Sequence, residues 1–192
     1  DNQGFLMNRQ KDTNALNLDG ILSSTADTGG YVSVGDQSSL DFGTADFSVA
    51  FWVKMNSIDN TFSFVGKQDS SSGWYIYYDQ PGSRVNFYHR KDAKYVYGST
   101  DLSINTWHHI AFTRDAAVGK IYIDGALATG STQDISADVD SSGDLFEIGR
   151  RNLGTTDDRY PNAQVDDIAI YSDVLTDAEV LRNYNAGKRS HR

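Results

Sequence analysis

The sequence predicts an all-β fold, two antiparallel sheets packed as a sandwich, with one short helix near the C-terminus. Three observations carry this. Short runs of alternating apolar and polar residues recur along the chain, as half-buried strands require. Turn-forming residues separate them, with 17 Gly and 24 Asp against two Glu. Only one segment has helical periodicity, so the crossover helices of a parallel sheet are missing.

Residues 1–15 are polar with one weak apolar cluster, a lead-in or a short first edge. Alternation then predicts strands at 16–21, 31–35, 47–55, 61–67, 74–79, 84–90, 94–98, 107–115, 120–125, 145–150 and 165–172. The turns between them are explicit in SSSGW, DQPGS and DAAVG and in the Asp124–Gly125 pair, a hairpin signal. The helix begins at Thr176, with Glu179 three residues on as a capping box. Leu175 and Val180 flank that cap at the spacing of a hydrophobic staple, and the helix ends near Gly187.

The 192 residues, 39% of them hydrophobic, suffice for one well-packed domain and are too few for two of average size. A single domain is expected over 1–187, with 188–192 a disordered tail or an appended remnant. A formal charge of −9 leaves no basic stripe for nucleic acid. The absence of cysteine excludes disulfides, thiol nucleophiles and zinc–thiolate sites. No run of 18 apolar residues is present, so membrane insertion is not expected. The chain opens DNQGF rather than with Met and an apolar signal, as a mature or excised piece would.

Trp107-His108-His109-Ile110-Ala111-Phe112, then Ile121-Tyr122-Ile123-Asp124-Gly125, then Glu147-Ile148-Gly149-Arg150, then Val165 to Tyr171, then Leu175 to Glu179 form an ordered series. Taken together, from Phe47 to about Tyr184, this series resembles the laminin G-like domains of the concanavalin A-like lectin/glucanase superfamily. The resemblance implies a jelly-roll sandwich with a curved, concave sheet. It also implies a secreted or cell-surface setting, as one module of a larger multidomain protein.

Hydrolysis of a glycosidic bond needs two carboxylates about 5–10 Å apart. The glucanase branch carries them as Glu-x-Asp-x-(x)-Glu. This chain has only Glu147 and Glu179, far apart in sequence, and no strand offers two Asp at i, i+2. No nucleophile elbow, P-loop or dinucleotide fingerprint is present. The expectation is a non-catalytic module.

In the family one structural calcium often sits where an early loop, the second strand and a late strand meet. The matching positions here are Asp19, the carbonyls around Gly29 and Gly30, and Asp166. Asp166 shares a face with Ile168 and Ile170 under strict alternation, so a carboxylate buried there would be metallated or hydrogen-bonded. Asp138-Val139-Asp140 and Asp157-Asp158-Arg159 are secondary candidates, with a solvated acidic loop as the alternative reading of each.

Ligand binding is argued from aromatic residues, whose faces stack on sugar rings while polar groups bond the hydroxyls. Period two sends Trp74, Ile76, Tyr78, Val85 and Phe87 to the core. It leaves Tyr75, Tyr77, Arg84, Tyr88 and Arg90 looking outward. Arg159 and Tyr160 in a long irregular stretch are further contributors. A polysaccharide or glycan partner is expected, and basic residues among tyrosines suit an anionic one. The competing readings are a protein-binding adhesion module and a glycan-degrading enzyme with an unconventional site.

Overall fold

A computed structural model describes residues 5–6, 15–19, 30–69, 71–140, 143–150 and 160–192. Its strands are β1 (Phe5–Leu6), β2 (Leu16–Asp19), β3 (Val32–Gly35), β4 (Phe47–Met55), β5 (Phe62–Gln68), β6 (Gly73–Asp79) and β7 (Arg84–His89). They continue as β8 (Lys94–Gly98), β9 (Trp107–Asp115), β10 (Val118–Ile123), β11 (Ala126–Leu127), β12 (Thr129–Thr132), β13 (Leu145–Ile148) and β14 (Asn162–Tyr171). One helix, α1 (Asp177–Gly187), follows.

Two seven-stranded antiparallel sheets result. The first runs β1-β14-β4-β9-β10-β11, with β2 also on β14. The second runs β12-β8-β7-β6-β5-β13-β3. Their inner faces meet in one apolar core, consistent with a jelly roll, where Phe47, Phe51 and Phe112 face Phe64, Trp74 and Phe87. The Phe87 and Phe112 rings stack across the gap at 3.9 Å with 2° between planes. The faces assigned from alternation to Trp74, Ile76, Tyr78, Val85 and Phe87 are therefore the core faces.

The Asp124–Gly125 turn has both residues at positive φ, 53° and 79°, the conformation that suits the twist of a two-residue hairpin. The capping box at Thr176 is also formed, with Glu179 N–H donating to Thr176 Oγ1 at 3.3 Å and Thr176 N–H donating to Glu179 Oε2 at 2.9 Å. Leu175 and Val180 are buried together beneath the helix.

Three differences from the sequence reading have a physical reason. β12, Thr-Gly-Ser-Thr, has no apolar alternation, because it is an edge strand held to β8 by its backbone. β10 begins at Val118, since a tight turn with Ala116 at φ 49° closes it onto β9. β14 starts at Asn162, where pairing with β2 and β4 extends it three residues before the predicted start.

The expected disordered tail at 188–192 is corrected. His191 is 7% exposed, and its ring stacks on Trp52 at 4.4 Å and 4° and meets Trp107 edge-on at 4.8 Å. Its Nδ1–H donates to the Gly187 carbonyl at 2.9 Å, and Nε2 lies 3.2 Å from Asp166 Oδ2. Gly187 itself packs on the Trp52 indole so closely that a Cβ would come within 2.4 Å of Nε1. The tail thus covers an aromatic surface on the outside of the first sheet.

His109 lies under the same cover, 5.3 Å from Trp52, and burial holds its imidazole down at about 4. A histidine kept neutral in the folded state contributes stability above its unfolded value near 6.5. That contribution is lost as pH falls toward 4, because the unfolded chain takes up the proton first, with a total on the order of 3 kcal/mol. Urea midpoints of the wild type and His109→Gln between pH 7 and pH 4 should therefore converge on acidification. Parallel curves would show that His109 carries none of the dependence.

Candidate functional site

Two similar turns build the outer face of the second sheet. β6 joins β7 through Gln80–Ser83 and β7 joins β8 through Arg90–Ala93. In each, the fourth residue takes a positive φ, 48° at Ser83 and 52° at Ala93, and its N–H returns to the first carbonyl. Equal loops keep equal register, so Tyr75 pairs with Tyr88 and Tyr88 with Tyr95. One pair along, Tyr77 faces Asn86 and Asn86 faces Tyr97.

The result is a contiguous aromatic surface. Ring centroids lie 5.2 Å apart for Tyr75–Tyr77, 5.3 Å for Tyr75–Tyr88, 4.5 Å for Tyr88–Tyr95 and 5.2 Å for Tyr95–Tyr97. Arg84 sits over the Tyr97 ring at 4.7 Å and Arg90 over Tyr75 at 5.3 Å, while Arg90 Nη2–H also donates to Gln68 Oε1 at 2.8 Å.

Tyr75 and Tyr77 do point away from the core, but the expectation that they look outward into solvent is corrected. They are 2% and 7% exposed, because the surrounding rings, Arg90 and Asn86 close over them. The accessible part of the surface is Tyr88, Tyr95, Tyr97, Arg84 and Arg90, all half-buried. Burial, followed by the neighbouring Tyr88, pushes the Tyr95 phenol up to about 12, and burial raises Tyr77 too. Both hydroxyls therefore stay protonated at neutral pH, able to donate and accept hydrogen bonds.

Asn86 supports the row from within. It is fully buried, donates from Nδ2 to Tyr77 Oη at 3.2 Å, and accepts the Gly98 N–H on Oδ1 at 3.2 Å. Gly66, opposite Tyr75 on β5, has no room for a side chain, since a Cβ would stand 2.5 Å from Tyr75 Cβ. Beyond it on the same row stands Glu147, fully buried and ion-paired with Arg150 at 3.1 Å. The Arg150 guanidinium lies 4.8 Å over Tyr31, whose ring is 6.0 Å from that of Tyr160. Tyr160 is thus at the far edge of this sheet and 3% exposed. Arg159 lies outside the described residues.

Sequence reasoning left Tyr95, Tyr97, Asn86 and Gln68 out of the site. The signal for the two tyrosines was present, because the turn length after Arg90 fixes their register against Tyr88. Asn86 and Gln68 carry no such pattern, and only the packed sheet shows their hydrogen bonds.

Of the calcium set, Asp19 lies at the end of β2 and Asp166 within β14. Asp19 pairs with Asn162 on β14, four positions from Asp166. At the rise of a strand that is about 13 Å along the backbone. A bulge between Asp166 and Ala169, with Asp167 at φ 47°, breaks the alternation that put Asp166 with Ile168 and Ile170. Asp166 instead accepts the Asp167 N–H at 2.8 Å and faces His191. Gly29 lies outside the described residues. Among those described, no three acidic or histidine side chains are grouped to hold a metal.

Nor is the Asp138–Asp140 loop simply solvated. Asp140 accepts the Gly43 N–H, and burial raises its carboxyl. Asp157 and Asp158 are outside the described residues. Of the two glutamates, Glu179 serves the helix cap and Glu147 its arginine, so the described residues bring no pair of glutamates together.

Residues 26–181 match the family model described as Laminin_G_3, concanavalin A-like lectin/glucanases superfamily. A curated relative, the non-toxic nonhemagglutinin type A of Clostridium botulinum (strain Kyoto / Type A2), is 27% identical over 146 residues, 73% of this chain and 12% of that protein. Among solved structures, the binding domain of Paraclostridial Mosquitocidal Protein 1 superposes with a TM-score of 0.64 at 18% identity, over 90% of this chain and 46% of that one. A botulinum neurotoxin type C structure, described as showing that cell entry depends on interaction with two ganglioside molecules, gives 0.64 at 15% identity over 96% and 46%. The chain thus spans about an eighth of the relative's length and under half of each structure.

Proposed function

We propose that this chain, which belongs to the laminin G-like branch of the concanavalin A-like lectin/glucanase superfamily, is a non-catalytic carbohydrate-binding module. It would act outside the cell as one part of a longer protein. The observation that carries the reading is the contiguous tyrosine surface of β6, β7 and β8. Half-buried rings held by their neighbours offer flat apolar faces at little entropic cost on binding, and their protonated hydroxyls meet the hydroxyls of a sugar. Arg84 and Arg90 among those rings favour an anionic glycan. The similarity to a binding domain, and to a toxin described as interacting with gangliosides, supports a binding rather than a catalytic role.

The test is a panel of neutral and anionic polysaccharides screened by thermal shift and followed by titration calorimetry. Ligand that binds only the native state must raise the melting temperature. The expected result is a shift from one glycan class that Tyr95→Ala removes. Silence across the panel, from protein shown to be folded, would overturn this reading in favour of a protein-binding module.

A further inference from the structure

Arg84 and Arg90 begin and follow the same strand, yet their guanidinium groups lean inward over different tyrosines. Arg84 covers Tyr97 on β8, and Arg90 covers Tyr75 on β6. Those rings are two strands apart and two residues out of register. With about 4.8 Å between strands and about 3.4 Å per residue, the two cations stand at opposite corners of the aromatic surface, roughly 12 Å apart.

Asp79 and Glu147 are carboxylates on the same face. Asp79 is 3.8 Å from Arg84, an ion pair too long for a hydrogen bond, and Glu147 is buried against Arg150. The chain as a whole carries −9, so a polyanion is repelled by the rest of the surface and gains only where arginines are gathered.

Magnitudes then choose between ligand shapes. A single exposed contact between an arginine and an anionic group contributes little to affinity. One terminal anionic sugar reaches one corner and gains little by its charge. A repeating polyanion that crosses the tyrosines reaches both corners, and its second contact forms at the high effective concentration set by the first.

Resting on the glycan-binding reading, we propose that this face grips an internal stretch of a polyanionic glycan. Anionic groups on non-adjacent sugars meet Arg84 and Arg90, and the sugars between them lie over Tyr88 and Tyr95. The shared chemistry is a planar or tetrahedral oxyanion matched by a guanidinium fork, which a uronate carboxylate and a sulfate both provide.

The test uses oligogalacturonates from monomer to octamer, the same ladder after reduction of its carboxyls to alcohols, and a sulfated ladder of equal length. Each is titrated against the wild type, Arg84→Gln, Arg90→Gln and Tyr95→Ala, with circular dichroism to confirm folding. The expected result is a gain of about tenfold from dimer to the longer anionic oligomers, suppressed by salt and lost in either arginine variant. Preference for the carboxylate or the sulfate ladder assigns the source of the anion.

If neutral and anionic ladders bind alike, and only Tyr95→Ala weakens them, the polyanion inference is overturned while the glycan reading stands. If no ladder binds, and the polysaccharide panel is also silent, both fail.

Discussion

Arg114→Met is expected to lower the free energy of unfolding by about 3–5 kcal/mol, the cost of stripping partners from several buried polar groups at once. Arg114 closes β9 on the core side and is fully buried. Its guanidinium donates to the carbonyls of Gly43 at 2.9 Å, Ser136 at 3.0 Å and Ala137 at 2.9 Å, and Nε–H donates to Ala116 at 3.3 Å. Three separate segments are thus tied by one planar group. Methionine fills much of the same volume but offers those carbonyls no donor. Arg114→Lys keeps the charge, yet a single ammonium head cannot replace the fork, so it should fall between the two. Denaturant titration of the three proteins decides it. A methionine variant within 1 kcal/mol of the wild type would mean that water serves those carbonyls as well as arginine does.

Tyr88→Ala and Tyr95→Ala are each expected to weaken binding of the proposed glycan ligand by about tenfold to a hundredfold, the range for aromatic anchors at the centre of a site. Tyr95 touches both Tyr88 and Tyr97, so its removal interrupts the row between them. The companion substitution Tyr95→Phe keeps the stacking face and removes only the hydroxyl. Its loss should be smaller if stacking dominates, and equal if the hydroxyl carries the contact. Calorimetric titration reads both, and affinity unchanged in both alanine variants would remove the ligand from this face. Melting temperatures measured alongside separate a binding effect from a loss of folded protein.

The sequence reading and the structure part company in an instructive order. Strand periodicity exposed most of the sheets because burial of one face imposes alternation on the residues themselves, as in Trp74, Ile76 and Tyr78. The Asp124–Gly125 turn and the Thr176–Glu179 cap were equally plain, since each is closed by groups within a few residues. β12 was hidden because its pairing with β8 is made by backbone atoms, which every residue shares. The fate of Asp166 was hidden by the bulge after it, because a single extra residue reverses the faces that strict alternation assigns.

By itself, the sequence determined the fold class, the core faces, the helix cap and the direction in which the tyrosines of β6 and β7 point. These follow from spacing along the chain, where neighbours are fixed by covalent geometry. Tertiary structure alone decided which of those tyrosines water can reach, and that the buried Asn86 of β7 supports their row from within. It also decided that Asp166 faces His191, which is packed on Trp52. Each of these depends on register and packing between segments distant in sequence. No local pattern of residue types encodes such distances.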